Sequence, residues 1–190
     1  MTTPELVATA NCSRQARELA KPEAAPPDFL NTLEERELYY DAILFLAHTM
    51  ESKPSIEWAC KTIHELQPEG QPIAGQECLT ASEAWLKAPA DPLRFAARDI
   101  AEKSGLEAPA DCVAMAVYLS GGSVTPPDTP EVDPPPYGAQ RLCSGAILMA
   151  AVLNQPEHVV ERQRKALALG RQIAKLPPGP PPPPREEPQQ

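Results

Sequence analysis

The stretch Asp91-Pro-Leu-Arg-Phe-Ala-Ala-Arg-Asp-Ile-Ala-Glu-Lys-Ser-Gly-Leu106 decides the fold class. Asp91 can cap a helix, and Pro92 suits the first turn, where its missing N–H has no intrahelical partner to lose. Leu93, Ala96, Ala97, Ile100 and Ala101 then recur at the spacing of one helical face. Gly105 stands where a left-handed residue ends a helix, and Leu106 is placed to fold back on the last turn. A segment with a start signal, one apolar stripe and a stop signal reads as a helix packing one side on a core.

The same punctuation repeats outward. Downstream, Pro109 opens residues 110–119, which stop at Gly121-Gly122. By periodicity alone Cys112-Val-Ala-Met-Ala-Val-Tyr-Leu119 could be a buried strand; the Pro start, the Gly stop and the Ala and Met content favour helix. Upstream, residues 76–87 place Leu79, Ser82 and Leu86 on one face, with Trp85 beside them. Residues 67–75 hold Pro68, Gly70, Pro72 and Gly75 and read as a loop. Beyond Lys53-Pro54, Ile56, Ala59, Cys60, Ile63 and Leu66 mark another helix, with Glu57 and Lys61 paired across one turn on its far side. Residues 33–50 carry two adjoining apolar stripes and a narrow polar edge at Glu37, Asp41 and His48, as in one long, nearly enclosed helix.

Residues 123–137 contain Pro126, Pro127, Pro130, Pro134, Pro135 and Pro136, which exclude helix and central strand. Apolar helical segments flank them, so they are expected to form an ordered strap over the helices, with Val124 and Val132 covering grooves. Residues 139–153 resume a helical stripe. Pro156 opens a last helix with Val159, Val160, Gln163, Leu167 and Ile173 inward and Arg162, Arg164, Lys165, Arg171 and Lys175 outward. The tail, Pro177-Pro-Gly-Pro-Pro-Pro-Pro-Pro184 and then 185–190, offers no apolar residue other than proline. It is expected to stay outside the core as a disordered segment whose loss leaves stability unchanged.

Composition agrees with an all-α reading. Apolar residues make up 42% of the 190 residues and aromatics only 5%, so Ala, Leu, Ile and Val must fill most of the core. The net charge of -9 and pI near 4.9, with no Lys/Arg cluster, speak against nucleic acid and against anionic membrane surfaces. The longest apolar block, residues 146–153, is far short of a bilayer span. The first residues show neither a basic n-region nor an apolar run. The five cysteines are odd in number and form no CxxC, as expected of reduced thiols used as small hydrophobes. A cytoplasmic location is the expectation.

Six segments also carry a resemblance: Asp41-Ala-Ile-Leu-Phe-Leu-Ala-His48, Glu57-Trp-Ala-Cys60, Glu83-Ala-Trp85, Leu119-Ser-Gly-Gly-Ser-Val-Thr-Pro-Pro127, Pro134-Pro-Pro136 and Gly145-Ala-Ile-Leu-Met-Ala-Ala-Val152. Together they resemble an uncharacterised bacterial family of helical proteins, over residues 33–170. Glu57-Trp58 departs from the pattern, where a Trp pair is usual. The resemblance implies an accessory protein encoded near bacterial secretion-system genes, type VI in particular, and it brings no catalytic motif.

Each candidate site also has a structural reading. Cys60 and His64 lie four apart on one helix and could present two metal ligands, but a structural zinc needs four and no second pair lies nearby. His48, His64 and His158 are the histidines available to a nucleophile. Ser120-Gly-Gly-Ser123 could bind an anion, although a helix stop accounts for it more simply. The polyproline run reaches about 25 Å as a preformed ridge for an aromatic groove. Pro177, Pro178, Pro180 and Pro184, with Arg162 and Lys165 on the basic helix, are the candidate partner contacts. The expectation is a flexible segment 1–27 with a short helix at about residues 13–20, a helical domain 28–176 and a disordered tail 177–190. The domain should be a single bundle of about seven helices in antiparallel hairpins, crossed by the strap. The chain is expected to act without catalytic, cofactor or metal residues as an adaptor or scaffold. A chaperone for a secreted partner, or a small enzyme using Cys60 and His64, is the alternative.

Overall fold

A computed structural model describes residues 1–126 and 128–181. Among these residues lie ten α-helices, one 3-10 turn and no strand: α1 (Thr3–Thr9), α2 (Arg14–Leu19), α3 (Pro26–Glu35), α4 (Tyr39–Thr49), α5 (Ser52–Leu66), α6 (Gln76–Lys87), α7 (Asp91–Ser104), α8 (Pro109–Tyr118), α9 (Gly138–Val152), the turn Pro156–His158 and α10 (Val159–Ile173). The all-α class read from the sequence is the class observed.

The centre is α9, which packs on α4, α5, α8 and α10. Its buried positions are mostly small, including Gly138, Ala139, Cys143, Ser144, Ala146, Ala150 and Ala151. Small side chains let several backbones approach one helix, which explains how so few aromatics suffice. The large residues sit where α4, α5 and α10 meet. Trp58 is fully enclosed and donates its indole N–H to Ala166 O at 2.7 Å. Gly170 completes that junction, because a Cβ there would stand 2.6 Å from the Trp58 ring and 2.8 Å from Leu46. Phe29 meets Phe45 edge-on at 5.0 Å, joining α3 to α4. On the other side α8 packs on α5, α6 and α7, and α7 is an outer helix that buries chiefly Arg94, Ala97 and Ala101.

Several elements depart from the sequence reading. The single helix expected over 33–50 is two. Leu38 N–H donates to Leu33 O at 2.8 Å and Glu37 N–H to Glu34 O at 3.0 Å, closing α3 in a Schellman turn with Glu37 left-handed at φ 58. Residues 1–27, expected as a flexible segment with one short helix near 13–20, form α1 as well as α2 and bury Leu6, Val7, Ala10, Cys12 and Ala16. Asp41 ties this segment down: it accepts from Ser13 N–H and Ser13 Oγ, each at 2.7 Å, and is itself buried. Leu106 does not fold back on α7 but stays 46% exposed.

Residues 123–137 close on themselves. Val124 N–H donates to Val132 O at 2.8 Å, and Thr125 Oγ1 donates to Pro130 O at 2.7 Å. Their base is held by Tyr118 Oη, which donates to Val124 O, and by Arg94 Nη2, which donates to Ser123 O at 2.8 Å. Gly122 is required beside this anchor, since its φ is 65 and a Cβ would collide with the Arg94 guanidinium. Val132, expected to cover a groove, is half exposed.

Candidate functional site

The surface expected to meet a partner was the basic face of the last helix and the tail. Burial divides it. Arg162, read as outward, is 6% exposed. Its Nη2 donates to Ala150 O at 2.8 Å, Leu66 O at 2.9 Å and Leu153 O at 3.3 Å, its Nε to Ala151 O at 2.9 Å, and its Nη1 to Gln155 Oε1 at 3.0 Å. These carbonyls belong to the C-terminal ends of α5 and α9, which lack intrahelical donors and carry the negative end of each helix dipole. Arg162 is therefore an internal cap for two helices and presents no charge to a partner. Burial lowers its pKa from the usual arginine range, but the group remains a cation. Lys165, by contrast, is exposed and pairs with Glu161 at 3.3 Å.

Arg171 is the second buried cation, at 2% exposure, although it too was read as outward. Nε donates to Glu34 Oε1 and Nη2 to Asn31 Oδ1, both at 2.7 Å, while Nη1 donates to Pro177 O at 3.0 Å. Burial pushes the Glu34 carboxyl above its ordinary range, and the Arg171 guanidinium opposes the shift. The tail root therefore does not stand apart from the domain. It lies over α3 and α10, where Pro178, Gly179 and Pro180 share a groove of about 380 Å³ with Glu34, Arg164, Ala168 and Arg171. Pro177 and Pro178 are exposed and Pro180 partly covered; Pro184 lies outside the described residues. Leu176 also borders a neighbouring apolar cleft of about 420 Å³, whose walls include Pro26, Pro27, Leu30, Phe45, Met50 and Ile173.

The residues weighed for chemistry are placed otherwise. Cys60 is buried, and burial with nearby Glu83 and Glu57 pushes its thiol up to about 12, where it is a poor nucleophile and ligand. His64 is exposed and pairs with Glu83, with Nε2 2.7 Å from Oε1. Among the described residues no group of three or more His, Cys, Asp or Glu is placed to hold a metal ion. Ser120 Oγ donates to Val117 O, and Ser123 Oγ pairs with Thr125, so both hydroxyls serve the backbone turn. His48 is buried, donates Nδ1–H to Leu44 O at 2.8 Å and stacks on Tyr137, leaving Nε2 without a partner among the described residues. Burial holds its pKa below the usual histidine range. His158 is exposed beside Glu157.

The sequence reading missed Arg171, Glu34, Asn31 and Gly179 as a set. One signal was available: 162, 166, 167, 170 and 171 are the buried positions of α10 and fall on one helical stripe. Ala166, Leu167 and Gly170 mark that stripe, and the two arginines lie in register with them.

No helix among the described residues is long and apolar enough to cross a membrane. No curated protein and no solved structure matches the chain. The profile of a family of unknown function, DUF6931, matches residues 29–174, from α3 through the end of α10 and thus well over half of the sequence, and the chain belongs to that family.

Proposed function

We propose that the protein is a non-enzymatic adaptor or scaffold that works through protein–protein contacts in the cytoplasm, as an accessory to a bacterial secretion system. The observation that carries this reading is the seat of the tail root. Arg171 holds Pro177 against the domain, and the chain leaves that seat into a sequence of consecutive prolines. A proline-rich segment loses little entropy when a groove grips it, and a fixed point of departure lowers the cost further. The apolar cleft beside Leu176 adds a second surface of the same chemistry. The reading of Cys60 and His64 as a small enzyme's centre is disfavoured, because the thiol is buried and held protonated while His64 is turned to Glu83.

Affinity purification of the tagged chain from its host, with mass spectrometry, tests the proposal. The expected result is a stoichiometric component of a secretion apparatus that is lost when the chain is ended at Leu176. Recovery of the full chain alone from cells expressing that apparatus would contradict it.

A further inference from the structure

We propose that the seat formed by Glu34 of α3 and Arg171 of α10 is a docking site for the chain's own residues 177–180, selective for glycine at position 179, so that this segment is a latch holding the root of the tail on the domain. The path begins at the end of α10. Lys175 is left-handed at φ 56, with Leu176 N–H donating to Arg171 O at 2.9 Å and Lys175 N–H to Gln172 O at 3.1 Å. This Schellman turn reverses the chain and sends it back along the helix it has just left. Pro178 and Pro180 then line the same groove as Arg164 and Ala168, which lie earlier on α10.

The groove floor is built to receive such a segment. Arg171 is buried, and Glu34 and Asn31 hold its guanidinium so that Nη1 points at Pro177 O, 3.0 Å away. A guanidinium fixed on two sides offers its third nitrogen in one direction only. Prolines bring carbonyl acceptors and no N–H, so they can cross a donor-bearing floor without leaving a donor unpaired. Proline also restricts the unfolded segment, which reduces the entropy lost on seating.

Gly179 is the selective position. A Cβ there would collide with Glu34 Oε2 and lie 3.0 Å from Arg171 Nε. The φ of Gly179 is not positive, so glycine is required for space and not for conformation. Glu34 cannot yield easily, because moving it breaks the bond to Arg171. The purpose of the latch, presenting the prolines beyond it from a fixed point, rests on the adaptor reading; its existence does not.

Limited trypsin digestion of the purified full-length chain tests the latch at the Lys175–Leu176 bond, followed by mass spectrometry. Slow cleavage is expected for the native chain. Gly179→Ala should be cut about tenfold faster, because cleavage tracks the population of the locally opened segment. Pro181→Ala, at an exposed position, should match the native rate. Circular dichroism accompanies each variant and should show unchanged helix content, since the substitutions lie outside every helix. Equal rates for the native chain and Gly179→Ala, or rapid cutting of both, would overturn the proposal. The assay needs no partner, so a failure of the latch and a failure of the adaptor reading are separate results.

Discussion

Replacing Arg162 by leucine removes the internal cap of α5 and α9, and the structure sets the scale of the effect. Four backbone carbonyls, Leu66, Ala150, Ala151 and Leu153, accept from one guanidinium at 2.8 to 3.3 Å. Bonds to a charged donor contribute about 1.5–3 kcal/mol each, and an orphaned buried acceptor costs about 1–3 kcal/mol. The four terms do not add, because they share one side chain and because the polar groove lined by Gln155, His158 and Lys165 can admit water to some of the carbonyls. Leucine also recovers some of the packing of the Arg162 stem. The expected loss is therefore about 3–5 kcal/mol, a large share of the roughly 5–15 kcal/mol that holds a domain together. Arg162→Lys keeps the charge but cannot span two helix ends and should lose about 2–3 kcal/mol. Urea unfolding followed by circular dichroism measures both, with the slope of the transition unchanged. Losses under about 1 kcal/mol for both variants would show that Arg162 is a solvated surface charge and would refute the reasoning.

Other consequences follow from the same contacts. Gly170→Ala should cost about 1–3 kcal/mol, because the new methyl meets Trp58 and Leu46 at under 3 Å; thermal melts check it, and an unchanged melting temperature would mean that α4, α5 and α10 do not meet as described. Burial lowers the pKa of His48 from its usual value near 6.5, so the stability it contributes is complete above that value and is lost as pH falls through the folded pKa. Urea midpoints should accordingly fall from about pH 8 to about pH 5.5, less steeply in His48→Gln, and parallel profiles would contradict the assignment. Burial also pushes the thiols of Cys12, Cys60 and Cys78 up to about 12. An aromatic disulfide reagent at about pH 8 should react slowly with these three in the native protein and with all five cysteines once it is unfolded, and a fast native reaction of any of the three would be inconsistent with the core.

What the sequence disclosed and what it hid have physical causes. The helices α7 and α8 were legible because proline opens each and glycine stands after each, and those residues act through local backbone geometry alone. The break between α3 and α4 was hidden because its left-handed residue is Glu37, where a turn normally advertises itself with glycine. The strain of that conformation is offset by long-range packing of Leu33 and its neighbours, which a local reading does not see. That the N-terminal helices pack on the core was missed for a related reason. They are short, and what holds them is the Ser13–Asp41 contact, 28 positions apart. Arginine is usually a surface residue, so Arg162 and Arg171 were read by type although their spacing placed them with Ala166 and Gly170. The Cys60–His64 pair was legible in its spacing, whereas the burial of the thiol and the bond from His64 to Glu83 depend on the fold. The proline content of residues 177–184 is plain from composition. The seat of the tail root is not, because that depends on a buried ion pair made by residues 137 apart.

The adaptor reading meets its most direct test in the affinity of the captured partner for two forms of the chain, the full length and one ended at Leu176. Isothermal titration with the purified partner should give a dissociation constant at least about 100-fold weaker for the shortened form, the loss expected when a main docking segment is removed. The shortened form should keep its helix content, since every helix among the described residues ends before Leu176. Equal affinity of the two forms would contradict the account, because the tail would then play no part in holding the partner.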